Sequence, residues 1–194
     1  MAMMKDQGRV QLITIKEDGG HQITPTFLSE ECYKEAVGGF ILVTADIIII
    51  NREKKSILLG KRTQNPVKGE WWFMGGRRQA GAWQMEAVAK NFRKETGLEM
   101  PRDRFQFLTQ VEWFFARREQ EPQDAGSHNL LFLYTIDLAD EEIATIKLEG
   151  AGFDHEAGLQ VFDRDRVNAE CRPEIRWLYG LIFFGLLPQE AWYI

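Results

Sequence analysis

From Phe40 to Ile50 the chain is almost wholly apolar and rich in β-branched residues, interrupted by Asp46. Such a run predicts a strand buried on both faces. The polar stretch Asn51–Ser56 reads as a turn, and Ile57–Arg62 as the return strand. An irregular basic loop follows, then a short apolar strand over Trp71–Met74 and a Gly75-Gly76 turn. After Gly81-Ala82-Trp83 the pattern changes to helical spacing. Ala87, Val88 and Phe92, with Trp83 and Met85 nearby, make an apolar stripe, and Gly97 stands where a C-cap glycine belongs. Strands are predicted over Phe105–Ala116, Asn129–Asp137 and Leu159–Phe162, the first two separated by the polar loop Arg117–Ser127. Pro173 opens a final helix at its first turn and Pro188 stops it. Upstream, Val10–Ile15 reads as a strand and Glu17–Gly20 as a turn. Ser29 is the N-cap of a short helix, Glu30–Ala36, that stops at Gly38-Gly39. Strands interleaved with two substantial helices place the chain in the α/β (α+β) class, with a sheet covered on both faces.

A chain of 194 residues is enough for one domain with a sizeable core. The division expected is a variable extension over residues 1–26 and a domain over 27–194. Lysines and arginines number 24 against 29 acidic residues, a net charge of −5. That balance gives no global attraction to nucleic acid or to an anionic membrane, so any phosphate must be held by local basic residues. Cys32 and Cys171 form neither a metal-ligand cluster nor a disulfide framework, which fits reduced thiols in a cytoplasmic protein. The N-terminal residues lack the apolar core of a signal peptide. The most apolar segment, Trp177–Leu187, is far short of the ~20 residues that span a bilayer.

Residues 57–98 carry a specific order: ILLGKR, a basic loop, GEWWFMGG, a second loop, a helix and KETGL. This resembles the Nudix hydrolases, whose box reads G-x5-E-x7-R-E-U-x-E-E-x-G-U, with U a bulky apolar residue. Begun at Gly76, that template falls on Ala82, Lys90, Asn91, Phe92, Lys94, Glu95, Gly97 and Leu98. The glycines, the apolar positions and one glutamate match; three glutamates do not, and the arginine is a lysine. The resemblance is closer to the GDP-mannose mannosyl hydrolase branch, whose members also lack most box glutamates and keep the one equivalent to Glu95. It runs from FLSEE at residues 27–31 through Asp46, LLGKRTQNP, GEWWFMGGR and KETGL, and then more thinly through His128 and Asp154-His155 to Leu159. The fold it implies is a Nudix-type α/β/α sandwich with a mixed central sheet between helices.

The resemblance also implies a chemistry. A nucleoside diphosphate sugar carries a charged pyrophosphate that must be neutralised before it leaves, work suited to Mg²⁺, with Mn²⁺ as the alternative. Glu95, the backbone carbonyl of Gly75 and Asp154 would be the ligands. Asp154 stands where the branch has glutamine and would restore a charge that Asn91 and Lys94 remove from the helix. Arg62 and Arg77 would hold the diphosphate by charge-assisted hydrogen bonds, and Lys90 would steady the metal loop. His155 aligns with the catalytic histidine of the branch and suits a general base at neutral pH, with Arg62 beside it in the catalytic set. Of the other two histidines, His21 reads as a surface residue and His128 as structural. Asp46 needs a partner inside its apolar strand, and a salt bridge to a nearby arginine and a substrate-binding role both remain open. Met74, Trp113 and Asn129 depart from the branch, which has proline, histidine and tyrosine there. The function expected is Mg²⁺-dependent hydrolysis of a nucleoside diphosphate sugar by water attack at the sugar carbon. Ordinary Nudix P–O cleavage and a non-catalytic nucleotide-binding or regulatory module stand as alternatives. A homodimer is expected from the family and from a composition with 6 tryptophans and 13 phenylalanines.

Overall fold

The computed structural model describes residues 23–24 and 27–185. The expected strand at residues 10–15, the turn at 17–20, His21 and Pro188 lie outside them. The elements run α1 (Glu30–Gly39), β1 (Leu42–Asn51), β2 (Ser56–Lys61), β3 (Trp71–Trp72), β4 (Met74–Arg77), α2 (Gln84–Thr96), β5 (Phe105–Phe115), β6 (Ser127–Asp137), α3 (Asp140–Ile143), β7 (Leu159–Phe162), α4 (Arg164–Glu170) and α5 (Pro173–Phe184). The strands form one seven-stranded sheet in the order β3-β2-β1-β6-β5, with β4 also paired to β1 and β7 to β2. Among the described strands only β1 and β6 run parallel, from Leu42 opposite Asn129 to Ile50 opposite Asp137. The sheet is therefore mixed, in the α/β (α+β) arrangement expected.

The central strand is buried because it has neighbours on both edges. Its first half pairs with β4 over Thr44–Ile47 and its second half with β2 over Ile49–Asn51. The two partners part near Ile48, and that division places the candidate site. Helix α2 buries Ala87, Val88 and Phe92 as its spacing predicts, and Phe92 meets Phe105 edge-on at 5.4 Å. Gly97 closes the helix in the left-handed region (φ 71°), its N–H donating to the Arg93 carbonyl at 2.8 Å. Trp83, expected near the stripe, is 44% exposed at the N-cap. Helix α5 adds Ile175, Leu178 and Tyr179 to the same core.

Several elements differ from expectation. The apolar run Trp71–Met74 is two strands, because Phe73 leaves the β2 edge and Met74 joins β1. The first helix runs on to Gly39, with Ser29 accepting from the Cys32 N–H as predicted. Helix α4 was not expected: its sequence RDRVNAE buries Val167 alone and so shows no period, and its start is fixed by Asp163 capping the Arg166 N–H. The final helix ends at Gly185 in the left-handed region, before Pro188 can act. No helix among the described residues is long and apolar enough to cross a membrane.

Candidate active site

The β1–β4 ladder sets Asp46 opposite Gly75. A Cβ on Gly75 would fall 2.0 Å from Asp46 Oδ1, so only glycine lets the two strands approach with the carboxylate between them. Asp46 is 8% exposed and accepts a hydrogen bond from the Thr44 hydroxyl. Burial pushes its carboxyl up to about 7. The Thr44 hydrogen bond and the positive charge of Arg62 pull it down, and the negative charge of Glu95 adds to the rise. No arginine forms an ion pair with it among the described residues. Of the two roles the sequence left open for Asp46, the salt bridge is therefore absent there.

Helix α2 brings two polar side chains into the core one turn apart. Asn91 Nδ2 donates to the carbonyls of Ala45 (3.0 Å) and Gly76 (2.9 Å), tying the helix to both strands of the Asp46 ladder. The amide standing in place of a box carboxylate is thus a structural brace. Its loss deprives two inward-facing carbonyls of a donor, and Asn91→Leu is expected to cost about 1–2 kcal/mol in urea unfolding. Glu95 is 4% exposed and lies 3.3 Å from Lys94 Nζ. Lys90 Nζ donates to Gln79 Oε1 at 2.7 Å, fastening the helix to the loop that precedes it.

The rest of the site comes from the end of β2 and the loop at residues 149–155. Arg62 forms a β-bridge with Phe153, Thr63 N–H donates to the Gly152 carbonyl at 2.9 Å, and Asp154 N–H donates to the Lys61 carbonyl at 2.8 Å. The glycines of this loop have a steric reason. A Cβ on Gly150 would lie 1.6 Å from Glu95 Oε2, and one on Gly152 2.5 Å from Arg62 Nη1. The loop backbone therefore rests on the carboxylate and the guanidinium together. The Arg62 guanidinium lies 5.1 Å over the Phe153 ring, and its buried Nε has no hydrogen-bond partner among the described residues. Burial lowers its pKa, opposed by the negative charges of Glu95, Glu119 and Asp46. Asp46, Gly75, Glu95 and Arg62, expected to share a site, are thus gathered in one region.

Other expected residues sit at its margins. Arg77 is exposed on β4, its guanidinium 3.8 Å over the ring of Tyr33. Tyr33 was missed by the sequence reading, although it is the only aromatic residue of α1. Its hydroxyl pKa is raised, chiefly by burial, with Arg77 opposing the shift. Asp154 Oδ1 accepts from the N–H groups of Glu156 (3.0 Å) and Ala157 (3.1 Å), which fixes the carboxylate at the head of a turn. His155 Nε2 lies 3.1 Å from the Gly150 carbonyl. The same residue lines a cavity of about 320 Å³ with Gly158 and an apolar wall that includes Leu58, Ile143, Ile146 and Leu159. His128 pairs with Glu112 at 2.8 Å and stacks on Phe114, in keeping with a structural role.

Among the described residues, no three or more His, Cys, Asp or Glu side chains gather as a metal cluster. The donors near one another are oxygens: the Glu95 carboxylate, the Asp46 carboxylate and the backbone at Gly75. Hard oxygen donors with so little negative charge fit one divalent cation that keeps several of its waters, and do not fit a multi-metal cluster.

Known structures share this architecture. The chain is similar to E. coli dihydroneopterin triphosphate pyrophosphohydrolase (TM-score 0.57, 13% identity, 74% of this chain and 96% of that one). It is also similar to the NUDIX domain of Shewanella oneidensis NrtR in complex with ADP ribose (TM-score 0.55, 14% identity, 74% and 86%). At these identities the likeness concerns the fold. The family itself is shown by sequence: a family profile described as the NUDIX domain matches residues 41–177, well over half of the chain, which therefore belongs to the Nudix hydrolase family.

Proposed function

We propose that the protein hydrolyses a nucleoside diphosphate-linked sugar, GDP-mannose-like in class, or a related nucleotide derivative, by water attack at the sugar carbon. The observation that carries this reading is Arg62. It is a half-buried guanidinium whose buried Nε has no hydrogen-bond partner among the described residues, held beside the single buried carboxylate of the box helix. A cation in that position calls for an anionic ligand, and phosphate oxygens match the fork of its donors. Arg77, already oriented by Tyr33, extends the same grip to a second phosphate.

Glu95, the Gly75 carbonyl and Asp154 would hold Mg²⁺, or Mn²⁺ in its place, and the bound ion would neutralise charge on the leaving diphosphate. Asp154 Oδ1 is committed to its turn, and Oδ2 takes no hydrogen bond among the described residues. The base is His155. With Nε2–H donating to the Gly150 carbonyl, Nδ1 is left as the proton acceptor. Nδ1 takes a proton from water as its oxygen bonds to the sugar carbon. The C–O bond to the diphosphate breaks, and its electron pair leaves on the phosphate oxygen.

Hydrolysis in ¹⁸O-labelled water tests this directly. The label is expected in the sugar and absent from the nucleotide; label in phosphate would establish P–O cleavage instead. That second reading is favoured by the fold shared with a pyrophosphohydrolase. A third, a non-catalytic module, is favoured by the sparse carboxylates of α2 and by the likeness to a NUDIX domain that holds ADP ribose. Nucleotide that raises the melting temperature equally with and without Mg²⁺, and is never turned over, would support it.

A further inference from the structure

Three residues at the β5–β6 end of the sheet, Trp113, Phe115 and Asn129, take no part in the roles above. Trp113 pairs with Asn129 and Phe115 with Ser127 across β5 and β6. Asn129 pairs with Leu42 across β6 and β1, and in the same ladder Leu133 pairs with Asp46. Side chains directly opposite in a ladder share a face and alternate along each strand. Asn129, Trp113 and Phe115 therefore stand on the face that carries Thr44 and Asp46, and Arg77, opposite Thr44, belongs to it as well. The rings of Trp113 and Phe115 are half-buried and parallel, with centroids 5.3 Å apart and planes 6° apart. Trp72 meets Trp113 edge-on at 5.0 Å and backs the pair.

Beside these rings Asn129 is 8% exposed, and its buried Oδ1 has no hydrogen-bond partner among the described residues. A buried amide oxygen left unpaired costs about 1–3 kcal/mol. That cost is explained if a ligand N–H completes the oxygen's bonding. Leu42, level with Asn129, is four residues from Asp46, which is ~13 Å along the strand. That separation suits a nucleoside with its ring at one end and its phosphates at the other.

We propose that Trp113 and Phe115 stack the nucleobase of the ligand and that Asn129 Oδ1 accepts an N–H from the edge of that base. The inference rests on the reading of the site as one that binds a nucleoside diphosphate. It also gives a reason for Trp113 and Asn129 to differ from the related branch. A sugar ring could pack on the same aromatics, but its hydroxyls offer no flat edge in the plane of a stacked ring.

Isothermal titration of the full chain in Mg²⁺ separates these cases, using ADP, GDP, CDP, UDP, inorganic pyrophosphate and a hexose 1-phosphate. The wild type is expected to bind at least one nucleoside diphosphate about tenfold or more tighter than pyrophosphate. Trp113→Leu should weaken the nucleotides by about five- to hundredfold and leave pyrophosphate within about twofold. Asn129→Leu should flatten the differences among bases with the melting temperature unchanged or raised, because the orphaned oxygen is gone. The subsite is refuted if nucleotides bind no better than pyrophosphate, if both variants keep wild-type nucleotide affinity, or if Trp113→Leu weakens hexose 1-phosphate instead. Failure of the wild type to bind any of the phosphates would overturn the nucleotide reading itself, and this proposal with it.

Discussion

Glu95→Gln is expected to lower kcat/KM for a nucleoside diphosphate sugar by about a hundredfold or more, with the melting temperature held or raised. The substitution keeps the length and volume of the side chain and removes its charge. Glu95 is the one box glutamate left, it is 4% exposed, and among the described residues its only charged partner within 4 Å is the exposed Lys94. A carboxylate buried that deeply beside one surface lysine adds little to stability, since pairs of this kind contribute little. The role proposed for it is to hold a cation. The glutamine enzyme should therefore need much more Mg²⁺ to reach its residual rate. A fall of less than about threefold, with an unchanged Mg²⁺ midpoint, would remove Glu95 from the metal site. A large fall accompanied by a lower melting temperature would make it a structural residue.

That Glu95 is singular could be read from the box, but what covers it could not. The box positions, the Gly97 cap, the strand at Leu159–Phe162 and the buried run of β1 all follow from patterns local in the chain: helical spacing, alternation and turn residues. The glycines at 150 and 152 are different. As sequence they suggest a mobile loop, whereas the structure shows each pressed on a charged side chain from a distant element. No periodicity encodes that contact. The same holds for the stacking of Tyr33 on Arg77 and for the orphaned oxygen of Asn129, which depend on the β1–β6 crossover and on where α1 lands. Phe73 misled because an unbroken apolar run carries no mark of the point where a strand changes neighbours. The site was legible where it follows the family's spacing, and opaque where it depends on tertiary packing of ordinary residues.

Asp46→Asn is expected to stabilise the protein at alkaline pH, by about 2–4 kcal/mol at pH 8, with little effect near pH 4. The carboxyl is held up to about 7, against 3.8 for a free side chain, chiefly because burial penalises the anion. A raised folded-state value means that the folded protein binds the proton more tightly than the unfolded chain does. The stabilising contribution is then complete below pH 3.8 and is lost as the pH rises through about 7. A tenfold change in proton affinity is worth about 1.4 kcal/mol, and burial strengthens the affinity here roughly a thousandfold. Asparagine is neutral throughout, retains an oxygen to accept from the Thr44 hydroxyl and fits the same gap against Gly75. Unfolding in urea at pH 5 and pH 8 should therefore show a gap between variant and wild type that widens with pH. A gap of equal size at both would mean that Asp46 does not titrate in this window. Activity should move the other way, falling in the more stable protein. A carboxylate kept at this cost, with no ion pair among the described residues, opposite Gly75 and in the field of Arg62 and Glu95, is what the proposed substrate-binding role predicts.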